Sequence, residues 1–383
     1  MLNMTTPETL QTLETPAAII DVAQMQRNIE RMQQRMSALG VRFRPHVKTS
    51  KSIPVTRAQI ASGAQGITVS TLKEAKQFFA DGITDILYAV GMVQAKLPQA
   101  LDLKRQGCDL KVITDSAVSA ADIAAFGKAH GEVFEVWIEI DTDGHRSGIK
   151  PEDASLLEVA QALQSGGMAV GGVMTHAGGS YDFNTPEALT AIAEQERAGC
   201  VRAATRLRAA GFACPVVSVG STPTALSASS LDGVTEVRAG VYVFFDLVMH
   251  NIGVCSTKDI ALSILTTVIG HQHDKGWAIV DAGWMAMSRD RGTEKQKHDF
   301  GYGQVCSIDG HMLEDFAFSS ANQEHGILSC APGKPVDIAT QLPVGTRLRI
   351  LPNHACATGA QHGSYQALGS DGSLLEWPRF YGW

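Results

Sequence analysis

The chain lacks any uncharged apolar run of about 18 residues, the length at which a membrane-spanning helix is suspected. Residues 1–16 lack the basic and apolar segments of a secretory signal, so secretion is not expected. A basic excess is also missing: 32 Lys and Arg stand against 39 Asp and Glu, a formal net charge of −7. Nucleic acid is therefore a poor main partner, because phosphate binding calls for a basic face. No CxxC pair occurs. The seven cysteines (Cys108, Cys200, Cys214, Cys255, Cys306, Cys330, Cys356) are odd in number and scattered. That fits free thiols in a reducing, cytoplasmic compartment and argues against a disulfide framework. Six of them read as small packing residues. No internal repeat or low-complexity segment stands out.

What is present is apolar surface to fold with: 44% hydrophobic residues and a mean hydropathy of −0.00. Disorder is disfavoured on that ground. At about 100–200 residues per domain, the length suggests two or three domains, or a large barrel with a smaller partner. Eight short, β-branched runs read as buried parallel strands: 41–46, 66–70, 86–89, 109–113, 134–141, 170–175, 216–220 and 236–240. Helix-period segments lie between them, among them 23–39, 71–80, 117–129 and 186–210. Eight such units predict an α/β fold, a (β/α)8 TIM-like barrel, with a doubly wound open sheet as the alternative. Beyond about Cys255, strands at 261–269, 276–280, 304–308 and 347–351 alternate with Asp-Gly and Pro-Gly turns. The expected organisation is a barrel over 21–255 and a mainly β domain over 256–383. The strand candidate 17–21, within residues 1–20, can join the second domain.

Barrel chemistry sits where the strands end. The first strand ends in Pro45-His46-Val47-Lys48-Thr49. A desolvated lysine can be neutral and form a Schiff base, or Lys48 is a rim side chain reaching solvent. Past the fifth strand, Arg146 lies in a glycine-flanked loop, free to meet a phenolate or carboxylate, or paired with Asp141 or Asp143. His176 and Tyr181 follow the sixth strand as acid–base or hydrogen-bonding groups, or as structural ones. Gly220-Ser221-Thr222-Pro223 follows the seventh. Thr222 reads as a helix N-cap with Pro223 behind it, either a phosphate cradle or a plain capped helix. Gly240 and Tyr242, after the eighth strand, would complete that cradle or pack in the wall. In the β domain, His354 and Cys356 stand two apart, which on an extended segment puts both on one face. Imidazole and thiolate suit an open divalent-metal site, or a buried cysteine beside a structural histidine.

Several of these motifs together resemble the pyridoxal-phosphate enzymes of the alanine racemase-like fold. Within it they are similar to the D-threonine aldolase and D-serine dehydratase family. The residues that carry the likeness are Pro45–Thr49, Thr175-His176-Ala177-Gly178, Gly220–Thr224, Glu324-His325-Gly326 and Pro352–Cys356. The resemblance implies pyridoxal 5'-phosphate on Lys48, with Arg146 at its phenolic oxygen. It implies Gly220, Ser221, Thr222, Gly240 and Tyr242 at the phosphate, with His176 and Tyr181 beside the cofactor. It also implies a divalent metal (Mn, Co or Zn) on His354 and Cys356, with His325 nearby. The aldolases carry His-x-Asp where this chain has His-x-Cys, as the dehydratases do. The activity implied is a lyase reaction, dehydration of D-threo-3-hydroxyaspartate to oxaloacetate and ammonia. D-serine dehydration and aldol cleavage on the same scaffold are the alternatives. Arg289, Arg291 or the metal would meet the substrate's β-carboxylate. The partner implied is a small D-amino acid, and the assembly a monomer or homodimer.

Overall fold

The computed structural model describes residues 9–382. Residues 1–8, part of the expected N-terminal strand region, and Trp383 lie outside the described residues. The chain separates into two compact units. One comprises Glu30–Gly240 with Gly382; the other comprises the residues up to Ile29 and Val241–Tyr381.

The first unit holds eight parallel strands: Arg42–Pro45, Ile67–Val69, Asp85–Gly91, Asp109–Thr114, Glu135–Ile140, Ala169–Thr175, Val216–Val219 and Glu236–Ala239. Each expected strand is present, shifted at its ends by at most a few residues. The sheet runs in chain order from the second strand to the eighth, and the first pairs with the eighth. A bridge between His46 and Thr68 links the first strand to the second, with the Val47 N–H donating to the Thr68 carbonyl at 3.0 Å. The barrel, not the open sheet, is therefore the observed architecture. Its strands are buried apolar residues such as Ile86, Ile113, Ile138 and Val237, as strands covered by helices must be. Arg44 is buried and ion-paired to Glu236 and Asp85, each at 2.8 Å. A buried guanidinium needs both carboxylates to offset its lost hydration.

The second unit is mainly β. Its sheet runs Phe316–Ala321, Gly326–Cys330, Trp277–Val280, Leu262–Gln272, Ala17–Asp21, Ser364–Leu368 and Leu374–Pro378. Arg347–Leu351 also pairs with Leu262–Gln272, and Gln304–Ser307 with Arg347–Leu351. The strand Ala17–Asp21 takes its place here, antiparallel to Leu262–Gln272 and parallel to Ser364–Leu368. Four strands of this sheet, at 316–321, 326–330, 364–368 and 374–378, were not expected from the sequence. None of the seven cysteines is in a disulfide. Burial raises the thiol pKa of Cys108 and Cys214 to about 11 and that of Cys306 to about 12, so these are inert packing residues. Among the described residues, no helix is long and apolar enough to cross a membrane.

Candidate active site

In the barrel unit, Val47 to Lys51 form a turn after the first strand. Val47, Thr49 and Ser50 are buried, while Lys48 between them is exposed. The turn is closed by the Lys51 N–H donating to the Val47 carbonyl at 2.8 Å. Lys51 adopts φ 45, a conformation unusual for a non-glycine residue. Its ammonium lies 2.9 Å from the buried Glu74 carboxylate, which locks the turn that presents Lys48.

Two histidines border this lysine. His176 follows the sixth strand, and its Nδ1–H donates to the Gly220 carbonyl at 3.0 Å. Burial pushes its pKa down to about 3, against that hydrogen bond and with help from Lys48, Arg146 and Arg238. His46 is held well below the ordinary histidine range by burial, then by Lys48 and Arg238. Both imidazoles are neutral at pH 7 and sit in the field of Lys48 and Arg238. The His46 Nδ1 is buried with no hydrogen-bond partner. The Tyr181 ring lies 6.4 Å from that of His176. Arg146 is half-exposed and pairs with neither Asp141 nor Asp143; its Nη2 lies 3.5 Å from Glu139 Oε1. Asp141 and Asp143 instead accept loop amides, those of Gly144 and Gly179 among them.

After the seventh strand, Ser221 is the helix N-cap, one residue earlier than the expected Thr222. Ser221 is extended, at φ −127, and its Oγ accepts the Thr224 N–H. Thr224 Oγ1 in turn accepts the Ser221 N–H at 3.0 Å, completing a capping box. That reciprocal pair favours Ser221 as the cap, and Thr222 becomes the first helical residue. Gly220 has φ +132, and a Cβ there would lie 2.1 Å from the Arg238 carbonyl oxygen. Only glycine fits. Its N–H donates to Glu196 Oε1 at 3.0 Å. The same oxygen accepts the Ala177 N–H at 2.9 Å. Glu196 is a buried residue that no sequence pattern singles out. Gly240 is closely but less severely confined: a Cβ would meet the His46 carbonyl and Thr49 Oγ1 at 3.0 Å.

In the second unit, Tyr242 is fully buried. The strand Arg347–Leu351 leads through Pro352 and Asn353 to His354. His354 is extended, at φ −136, but Ala355–Gly359 is helical, so Cys356 stands in a first helical turn. The expectation of an extended His354–Cys356 segment is corrected here: the strand has ended, and Asp246 accepts the Ala355 N–H at 2.9 Å. His354 Nδ1 lies 2.6 Å from Asp290 Oδ2. Burial lowers the His354 pKa, but the charge of Cys356 and the Asp290 hydrogen bond outweigh it, raising it to about 11. His325 is exposed in a turn where its carbonyl accepts the Asn322 N–H.

Both half-sites fit the groups the resemblance implies. The cationic barrel mouth, the orphaned His46 Nδ1 and the close backbone approaches at Gly220 and Gly240 suit an anionic, ring-bearing cofactor such as pyridoxal phosphate. At His354 and Cys356, nearby negative charge stabilises a cation, and imidazole with thiolate suits a borderline divalent metal. Among the described residues, no group of three or more His, Cys, Asp or Glu could hold a metal. Two protein donors leave coordination positions for water or substrate.

Residues 20–248 match the family model of the alanine racemase N-terminal domain, and residues 261–368 match a serine dehydratase domain. The D-threo-3-hydroxyaspartate dehydratase of Delftia sp. (strain HT23) is 70% identical over 378 residues, 98% of this chain and 100% of that protein. Its solved structure has a TM-score of 0.97 to this chain at 70% identity, covering 98% of this chain and 100% of the other. A Cys→Ala mutant of D-threo-3-hydroxyaspartate dehydratase, in the metal-free form, has the same score, identity and coverage. The D-serine dehydratase of Schizosaccharomyces pombe is 30% identical, over 98% of this chain and 94% of that protein.

Proposed function

This chain belongs to the D-serine dehydratase-like family of alanine racemase-fold enzymes, and from that premise we propose that it is a D-threo-3-hydroxyaspartate dehydratase. It is a lyase that uses pyridoxal 5'-phosphate and a divalent metal. The observation that carries the dehydratase reading is Cys356 beside His354, where the resemblance puts Asp in the aldolases. We assign cofactor binding to residues 21–255 and the metal ligands to 256–383 with the N-terminal strand. The substrate is a small D-amino acid. We further place the enzyme in the cytoplasm, on seven cysteines of which none forms a disulfide, as a homodimer or monomer that sedimentation distinguishes.

Lys48 would hold pyridoxal phosphate, which would supply an electron sink for negative charge at the substrate Cα. A divalent metal on His354 and Cys356 supplies Lewis acidity toward the β-hydroxyl, a poor leaving group. This chain's residues do the rest. Lys48, presented on its locked turn, takes the Cα proton. Arg146 meets the cofactor's phenolic oxygen; Gly220, Ser221, Thr222, Gly240 and Tyr242 surround its phosphate; and Tyr181 flanks it. His176, neutral and fixed to the Gly220 carbonyl, offers its other ring nitrogen as an uncharged hydrogen-bonding group. Loss of the Cα proton and the β-hydroxyl removes water. Hydrolysis of the resulting imine returns it, so the net products are oxaloacetate and ammonia.

A β-carboxylate calls for a cation. In the unit that carries His354, the five arginines other than Arg289 each bond a neighbour, although the buried Nε of Arg291 has no partner. Arg27 bonds Gln24, Arg291 bonds Asp299, and Arg347 bonds the Leu10 and Leu13 carbonyls. Arg349 bonds Ser263, and Arg379 bonds Tyr365. Arg289, exposed and next in sequence to Asp290, lies with its guanidinium 4.1 Å over the Trp284 ring. A stacked guanidinium keeps its N–H edge for a carboxylate. We assign the β-carboxylate to Arg289.

The test is one assay of D-threo-3-hydroxyaspartate, D-serine and D-threonine, with and without added metal. Oxaloacetate from the first, at the highest kcat/KM, is the expected result. Glyoxylate in its place makes the chain an aldolase, and a preference for pyruvate from D-serine makes it a D-serine dehydratase. Lys48→Ala should lose both turnover and the visible absorbance of the bound cofactor.

A further inference from the structure

We propose that Asp290 is a positioning residue for the metal half-site: it fixes the tautomer and ring orientation of His354 so that Nε2 faces the cation. The inference rests on the metal-dependent reading above and adds to it a group outside the metal's own ligands.

The geometry leaves little choice of tautomer. A carboxylate only accepts, so at 2.6 Å from Asp290 Oδ2 the His354 Nδ1 carries the proton. In the neutral imidazole, the form that a metal binds, the lone pair is then on Nε2. Metal-bound histidines commonly hand their other N–H to a carboxylate, which holds the ring and raises its basicity.

Asp290 itself is built into place. The helix Trp284–Met287 ends at Ser288, which has φ 75 and ψ 165, a conformation few non-glycine residues adopt. That turn directs the chain to Asp290, whose N–H donates to Ser288 Oγ at 3.1 Å. The buried Asn353, the neighbour of His354, ties the same loop down through its Nδ2–H to the Gly301 carbonyl at 2.7 Å and its Oδ1 to Thr293 at 3.2 Å. The Asp290 carboxylate also accepts the Gly292 N–H. It is engaged on the loop side and on the histidine side, which suits an orienting group rather than a third ligand.

A second carboxylate has a different task. Asp246 is buried, and its two oxygens accept the N–H groups of Met249 and Ala355, at 2.9 Å each. Asp246 thus holds the backbone residue between the two donors, His354 and Cys356, while Asp290 holds the imidazole.

The test measures metal affinity, not only turnover. Purified enzyme is stripped of metal and titrated with Zn2+ against a chromophoric chelator, for the parent, Asp290→Asn, Asp290→Ala and His354→Ala. Loss of an outer-shell partner of a metal-bound histidine costs about 10- to 100-fold in affinity. That weakening is expected in both Asp290 variants, with the metal-free proteins unfolding at the parent's temperature. Parent-like Zn2+ affinity in both Asp290 variants, with His354→Ala no longer binding, overturns the proposal and leaves the metal reading standing. Parent-like affinity in His354→Ala as well overturns the metal reading itself, and this proposal with it.

Discussion

The amides of Ala177 and Gly220 converge on one atom, Oε1 of Glu196, at 2.9 and 3.0 Å. The two residues belong to loops after different barrel strands, and the carboxylate comes from the helix Pro186–Ala209. Glu196 therefore clamps the loop that carries His176 and Tyr181 to the loop that begins at Gly220. Burial raises its pKa, while its bonds to Thr224, Ala177 and Gly220 favour the charged form. Glu196→Ala leaves two buried N–H groups without an acceptor, each costing about 1–3 kcal/mol. Glu196→Gln keeps an acceptor oxygen. Urea unfolding should show a much larger loss for alanine than for glutamine; equal losses would mean that the two bonds contribute little.

Removing the metal should separate the two half-sites. Chelation is expected to abolish oxaloacetate formation while the visible absorbance of the bound cofactor persists. The metal is proposed to act at the β-hydroxyl, and Lys48 and its neighbours are proposed to hold the cofactor. Full turnover in protein shown by elemental analysis to be metal-free would contradict that division.

Cys356 is the proposed thiolate donor to the metal. Cys356→Asp is expected to raise aldol cleavage relative to dehydration, read as glyoxylate released from D-threo-3-hydroxyaspartate. An unchanged product ratio would show that the ligand does not govern which bond breaks.

Arg289 is assigned to the β-carboxylate, so its loss should fall on substrates that carry one. Arg289→Ala is expected to raise KM for D-threo-3-hydroxyaspartate by about 10-fold or more, the scale of a lost charged hydrogen bond. KM for D-serine should hardly move. Equal effects on both substrates would sink the assignment.

The pH dependence of stability follows from His46 and His176, whose folded pKa values are both depressed. In the unfolded chain each takes up a proton near pH 6.5, while the native state refuses it. Below that pH the unfolded state binds more protons, so stability falls as pH drops toward the folded pKa, about 3 for His176. The slope is about 1.4 kcal/mol per pH unit for each histidine. Denaturant unfolding of the apoprotein between pH 7 and 5 should show it, and a His46→Gln, His176→Gln double variant should flatten it. An unaltered slope in the double variant would assign the loss to other groups.

The barrel was legible because its strands are buried on both faces and written as short β-branched runs between amphipathic helices. The strand Ala17–Asp21 and the strand Arg347–Leu351 were readable for the same reason. The strand Phe316–Ala321 was not: its second half is open to solvent, and its identity comes from pairing with Gly326–Cys330. The cap at Ser221 was displaced by one residue because Ser and Thr are equally good caps. Only the reciprocal bond with Thr224 chose between them.

The residue types of the site were determined by the sequence alone. Lys48 after an apolar strand, a Gly-Ser-Thr-Pro turn and His354-x-Cys356 are local patterns, and chemistry can be read from local patterns. The groups that aim these residues could not be read. Asp290 reaches His354 across 64 positions and Asp246 reaches Ala355 across 109. Glu196 gathers two loops onto a single oxygen. A hydrogen bond depends on distance and direction in space, and no spacing along the chain encodes either until the barrel and the sheet have folded.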